Sequence, residues 1–160
     1  MDLTQTVPIE ISLEAELIAA YPMLVRRLTF VVRDADEAQD LAQSAFERAL
    51  AHRSRFHGGD ARAWLFTIGI RLAIDELRRR KRLVALTEDA QPEWAMRSEP
   101  DLWRALAQLE PRQRAALVLA TLDGYTHAEI ATMLEVREGT VSSWVSRSKD
   151  RLRALLGDER

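Results

Sequence analysis

The chain is expected to be all-α: two small helical domains joined by a linker, the second containing a helix-turn-helix. Three observations carry this. Apolar residues recur at three- and four-residue spacing along most of the chain, and no alternating strand pattern occurs. Pro92, Pro100 and several acids break that spacing between residues 83 and 100, as a linker would. Beyond the break, Thr126 to Arg153 reads as a capped helix, a short turn and a second helix.

The first domain is expected over residues 12–82. Leu13, Leu17, Ile18, Tyr21, Leu24, Val25, Leu28, Val31 and Val32 space out a first helix from Ser12 to Val32. Pro22 should kink it or start a second helix. Asp34-Ala35-Asp36-Glu37 offers N-caps for a helix from about Asp36 to His52, with Ala38, Leu41, Ala42, Ala45, Phe46 and Ala49 on its apolar side. Gly58-Gly59 marks a loop from His52 to Gly59. Asp60 then caps a long helix reaching about Arg80, with Trp64, Leu65, Ile68, Leu72 and Leu77 buried. Gly69 lowers helix propensity there by roughly 1 kcal/mol relative to Ala and suits close helix packing. Residues 1–11 carry no pattern and read as loose.

The second domain is expected over 101–157. Asp101 caps a short helix, Pro111 opens the next in its first turn, and Asp123-Gly124 ends it. Thr126 and Glu129 form a capping box. Glu135-Val136-Arg137 is the turn, and Val141, Val145, Ser148 and Leu152 are the buried row of the second helix. In a helix-turn-helix this second helix enters the major groove. Its polar side carries Thr140, Ser142, Ser143, Ser146, Arg147 and Lys149, which are suited to bases and phosphates. Trp144 flanks the row and either covers the core edge, the reading we favour, or faces DNA.

Composition narrows the function classes. The 160 residues are 47% hydrophobic and 30% charged, enough for one medium or two small domains. There is no cysteine, so disulfides and thiolate metal sites are excluded, and the histidines lack ligand spacing, so neither metal nor cofactor is expected. No apolar run approaches the roughly 20 residues of a membrane span, and a soluble cytoplasmic protein is expected. The net charge of −2 is unlike a nucleic-acid binder, but its distribution is not. Basic residues collect between Arg53 and Arg82, and acidic ones near the N-terminus and from Glu88 to Glu110. No phosphate-cradling glycine loop, catalytic triad or facing carboxylate pair occurs; Asp75 and Glu76 are adjacent on a helix and point apart. An enzyme is not expected.

Several ordered motifs carry a family resemblance. Asp40-Leu41-Ala42-Gln43-Ser44-Ala45-Phe46, Arg55-Phe56-His57-Gly58, Arg62-Ala63-Trp64-Leu65-Phe66-Thr67-Ile68 and Ala73-Ile74-Asp75-Glu76-Leu77-Arg78-Arg79 lie in the first domain. Leu109-Glu110-Pro111-Arg112-Gln113-Arg114, Gly124-Tyr125-Thr126-His127-Ala128-Glu129-Ile130-Ala131 and Gly139-Thr140-Val141 lie in the second. Over roughly Leu13 to Leu156 the chain resembles bacterial sigma factors of the extracytoplasmic-function (ECF) type, which keep only regions 2 and 4 of the sigma-70 family. The chain departs from the family pattern at Ser44, Glu135, Ser142 and Trp144, where a Glu, a Gly and basic residues are common.

The resemblance implies an RNA polymerase core partner (beta and beta-prime subunits), promoter DNA and an anti-sigma protein. It implies that the first domain binds the polymerase clamp through Asp40, Gln43, Ser44 and Glu47. It also implies that this domain takes the −10 element with Arg55, His57, Arg62 and Arg71, and phosphates with Arg78, Arg79 and Arg80. The second domain would bind the −35 element through Thr140, Ser142, Ser143, Ser146, Arg147 and Lys149. The glycines of the loop let backbone approach an unstacked base. Two other functions compete: a helix-turn-helix regulator independent of polymerase, and a sigma mimic that sequesters an anti-sigma protein.

Overall fold

The structure, a computed structural model, describes residues 12–87 and 101–157. The expectations for residues 1–11 and for the linker from 88 to 100 lie outside the described residues. Helix α1 (Leu13–Val32) starts where the Ser12 hydroxyl accepts the Ala15 amide, and ends at Arg33 in the left-handed region (φ 63°). It runs unbroken through Pro22, where a kink or restart was expected. Pro22 lies on the exposed face, so the carbonyl that loses its amide partner there is open to water. Ile18, counted in the apolar row, is 62% exposed on that same face.

Helix α2 (Ala35–Ala51) is capped by Asp34, whose carboxylate accepts the Glu37 amide at 3.0 Å. Its buried stripe is Ala38, Ala42, Ala45 and Ala49, all without exposure. Side chains this small let α1 and α3 come close on either side. A 3₁₀ turn (Arg53–Arg55) leads to Gly58 and Gly59, with φ of 96° and 92° that only glycine adopts without strain.

Asp60 accepts the Ala63 amide and opens α3 (Ala61–Thr87). This helix continues past Arg80 into the segment read as the start of the linker, so the expected boundary at residue 83 falls inside it. Of the side chains expected to be buried on α3, Leu65 is. Trp64, Ile68, Leu72 and Leu77 are half-buried, while Phe66, Ile70, Ala73 and Ile74 lie deeper. The reason is that α3 has neighbours on two sides, so no single apolar stripe describes it.

The second half holds α4 (Asp101–Ala107), α5 (Pro111–Leu122), α6 (His127–Leu134) and α7 (Glu138–Leu156). It shares its core with the first. Ala115, Ala116, Leu119 and Tyr125 join Leu24, Leu28, Phe66 and Ile70 in one buried cluster, with α5 against α1 and both α5 and α6 against α3. A smaller cluster of Leu106, Leu109 and Leu117 is closed by Phe30 of α1, stacked on Trp103 at 5.4 Å. Among the described residues no helix is long and apolar enough to cross a membrane.

Gly69 is where α3 meets α1 most closely: a Cβ there would lie 2.8 Å from Leu24 Cδ1, and Leu24 is fully buried. Gly69→Ala gains about 1 kcal/mol of helix propensity but overpacks this contact by about 1–3 kcal/mol. Urea denaturation is expected to show a net loss of about 1 kcal/mol; unchanged or higher stability would mean that Leu24 swings aside freely.

Candidate nucleic-acid interface

The helix-turn-helix forms as its sequence dictates. Thr126 Oγ1 accepts the Glu129 amide at 3.1 Å, and the Glu129 carboxylate accepts the Thr126 amide at 2.8 Å. The first helix ends at Glu135, a non-glycine residue in the left-handed region (φ 56°), with the Val136 amide donating to the Ala131 carbonyl. Val136 packs on the core and fixes the entry into α7. Val141, Val145 and Ser148 are buried on α7; Ser142, Ser146, Arg147 and Lys149 are exposed, and Thr140 and Ser143 half-exposed. Trp144 is half-buried and packs on the core, the favoured of its two readings. His127, at the start of α6, lines a shallow groove with Ser142, Ser146 and Lys149. Sequence spacing did not single it out, because only the angle between the two helices brings it beside α7.

A second candidate surface lies on α2. Asp40, Gln43, Ser44 and Glu47 are all exposed, with the Gln43 amide 3.4 Å from Glu47 Oε1. Beside them an apolar groove is lined by Ile18, Tyr21, Pro22, Gln43 and Phe46. Tyr21 meets Phe46 edge-on at 5.8 Å. The apolar spacing that reads Ile18, Tyr21 and Phe46 as core did not reveal that they form the floor of a surface groove.

The basic residues of the first half part company. Arg55 and His57 are exposed in the turn and loop, while Phe56 between them anchors it on Trp64 with ring centres 5.3 Å apart. Arg79 binds Glu76 through two guanidinium nitrogens, at 2.6 and 3.1 Å. Arg80 reaches Glu37 at 2.7 Å and Glu76 at 3.5 Å. The Arg79 hydrogen bonds, then the charges of Arg79 and Arg80, hold the Glu76 carboxyl below its ordinary range. Arg78 is exposed and shares a groove with Lys81, Arg112 and Trp144.

Arg62 and Arg71 are committed to the second half. Arg62 Nε donates to the Tyr125 hydroxyl at 3.2 Å, with its guanidinium 5.9 Å from the Phe66 ring centre and 5.4 Å from that of Tyr125. Burial opposes the charge on Arg62, but Tyr125, Asp60 and Asp123 outweigh it and raise its pKa. Arg71 donates to the Met133 carbonyl at 2.9 Å and the Thr132 carbonyl at 3.4 Å, and pairs with Glu135 at 3.3 Å. Arg114 is buried within the second half, its Nη1 donating to the Leu106 carbonyl. Burial first, then the nearby charge of Arg33, push it down to about 10, against the pull of Glu110. Among the described residues no group of His, Asp and Glu is placed to hold a metal ion.

The fold and surfaces define an all-helical protein of two modules, the second a helix-turn-helix reader. The chain belongs to the sigma-70 family, and within it to the ECF RNA polymerase sigma factors. The family model for sigma-70 region 2 matches residues 17–83, and that for sigma-70 region 4 matches residues 100–152. The chain is 34% identical to the ECF RNA polymerase sigma factor EcfG of Rhodopseudomonas palustris, over 93% of this chain and 87% of that protein. It is 36% identical to the ECF sigma factor SigM of Mycobacterium tuberculosis, over 84% and 70%. It is 33% identical to the sigma factor CarQ of Myxococcus xanthus, over 82% and 81%. Among solved structures it is similar to the sigma factor RpoE in complex with the anti-sigma factor NepR from Bartonella quintana. There the TM-score is 0.77 at 28% identity, covering 91% of this chain and 96% of that one. It is a sigma factor, which directs RNA polymerase to promoters to initiate transcription.

The capping box sets the start of the helix-turn-helix. Thr126→Ala removes the acceptor for the Glu129 amide and should cost about 1 kcal/mol, while Thr126→Ser keeps it. By thermal melting, Thr126→Ala should lower Tm by roughly 2–4 °C and Thr126→Ser should stay near wild type. Equal losses in both would show that the methyl packing, not the cap, matters.

Proposed function

We propose that the exposed α2 face of Asp40, Gln43, Ser44 and Glu47 docks on the polymerase clamp, and that the α7 face of Thr140, Ser142, Ser143, Ser146, Arg147 and Lys149 reads the −35 element, with His127 beside it. The loop carrying Arg55 and His57, with Arg62 and Arg71 on the helix behind it, holds the −10 strand, and Arg78, Arg79 and Arg80 follow its phosphates. The observation that carries this reading is a division of labour in charge. An acidic and amide face on α2, beside an apolar groove, suits a basic protein surface; the serine- and arginine-bearing face of α7 suits base edges and phosphates. The protein works in the cytoplasm with core polymerase and promoter DNA, has no catalytic role or cofactor of its own, and is held in check by an anti-sigma protein. That last role rests on its likeness to a sigma factor solved with such a partner.

Two measurements test this reading. Asp40→Lys with Glu47→Lys should weaken core polymerase binding by about tenfold or more, as loss of contacts worth about 2 kcal/mol would, with helical content unchanged; equal affinity removes α2 from the clamp interface. Separately, Arg147→Ala should relax preference at one or two −35 bases, by about 1–3 kcal/mol for a bidentate contact. Selection from a promoter library that returns the same −35 motif at the same stringency would remove Arg147 from sequence reading.

A further inference from the structure

A groove of about 380 Å³ lies where the basic end of α3, the first turn of α5 and the middle of α7 meet. Its cations are Arg78 and Lys81 from α3 and Arg112 from α5, and its one carboxylate is that of Glu110. Lys81 Nζ lies 3.7 Å from Glu110 with both side chains largely exposed, so this pair holds loosely. Among the described residues neither Arg78 nor Arg112 has an ion pair. Arg79 and Arg80, next along α3, are instead balanced by Glu76 and Glu37. Positive charge is thus left in excess at this groove. Beside the cations, Leu77 and the half-buried indole of Trp144 give the lining an apolar part. Trp144 is one of the places where the chain departs from its family, and the −35 reading makes no use of its ring.

We propose that this groove is a binding site for a nucleoside di- or triphosphate. Three cations that converge on one space repel one another unless an anion lies between them. Guanidinium forks meet phosphate oxygens in pairs, and an ammonium group meets them as a point charge. The indole of Trp144 offers a flat apolar partner for a base, and every base has a face to stack. Gln113, also on the lining, carries both a donor and an acceptor for a base edge or a ribose hydroxyl. The volume falls within the range of small-molecule sites, about 300–1,000 Å³. Inorganic phosphate alone would leave the indole unused, and an apolar ligand would leave the cations unpaired; a ligand with both a polyanionic and a planar aromatic part uses both. Arg78 is also assigned to the −10 phosphates, but the site does not rest on that assignment: Lys81, Arg112 and Trp144 have no part in it.

The experiment is calorimetric titration of the full chain, without polymerase, with ATP, GTP, adenosine and inorganic triphosphate. At least one of the two nucleotides should bind, and about tenfold or more tighter than either inorganic triphosphate or adenosine. Arg112→Ala and Lys81→Ala should each weaken the nucleotide by about tenfold, with helical content unchanged. Trp144→Leu should weaken the nucleotide by about tenfold and leave inorganic triphosphate as it was; should that variant not fold, the comparison of nucleotide with triphosphate on the wild type decides the same point. Binding of neither ATP nor GTP tighter than about 1 mM overturns the site, as does a nucleotide indifferent to Arg112→Ala. Inorganic triphosphate that binds as tightly as the nucleotide overturns the role of Trp144 and with it the nucleotide. A random-sequence duplex that binds more tightly than either nucleotide, and is weakened by Arg112→Ala to the same degree, makes the groove a nucleic-acid surface and overturns the proposal.

Discussion

A carboxylate out of reach of water needs a cation, and in this protein Asp123 has Arg27. Removing one partner of such a pair leaves the other charge buried and typically costs about 3–5 kcal/mol. The pair therefore constrains more than itself. It pins the turn after α5 to the middle of α1, which sets Tyr125 beneath Arg62 and against Phe66, ring centres 6.3 Å apart. With that turn fixed, α6 ends beside α3 and its last carbonyls fall to Arg71. The two modules of the fold are in this sense one buried core with a polar seam of arginines along its edge.

The polar seam also explains how a chain of net charge −2 presents basic surface. Its arginines are distributed among partners rather than massed. Some balance acids on their own helix or the next, as Arg79 and Arg80 do with Glu76 and Glu37. Others hold the second module. Arg55 and His57 remain exposed, at the one place where Gly58 and Gly59 let the backbone turn tightly. The exposed α7 face, by contrast, is mostly hydroxyl, with Arg147 and Lys149 as its cations. On a nucleic-acid-binding face so few cations would make few phosphate contacts, giving a weak dependence on salt and a larger share of binding left to base edges.

The surface of α2 shows the same economy of residues. The alanine stripe that seats it leaves the opposite face free. There Asp40, Gln43, Ser44 and Glu47 border a groove floored by Tyr21 and Phe46. An apolar centre with a polar rim is how protein interfaces concentrate affinity. Ile18 and Pro22 belong to this surface, which is why a proline persists in the middle of α1: it stands where its missing amide faces solvent rather than the core.

Local signals, which act within a few residues, settled the elements. Ser12, Asp34, Asp60 and Thr126 start helices because a side-chain oxygen meets an amide three residues on, and the break at Glu135 separates α6 from α7. The motifs around Asp40, Arg62, Pro111 and Tyr125 were enough to point to the sigma factor family. The faces of helices packed on two sides were not legible. Periodicity identifies one apolar stripe, whereas α3 is covered from both modules, so Phe66 and Ile70 lie deeper than Trp64 and Leu77. Nor did spacing mark Ile18 as surface, or bring His127 to α7. The partners of the arginines were the least accessible. Arg27 and Asp123 are 96 residues apart in sequence, and Arg71 and Met133 are 62 apart. A charge announces that it needs a partner, but which one it meets is decided by the packing of α5 on α1 and α6 on α3. The sequence alone determined what the protein is; the tertiary structure decided which of its arginines stay exposed and which are held within the protein, because only folding brings the ends of α5 and α6 within hydrogen-bonding distance of α1 and α3.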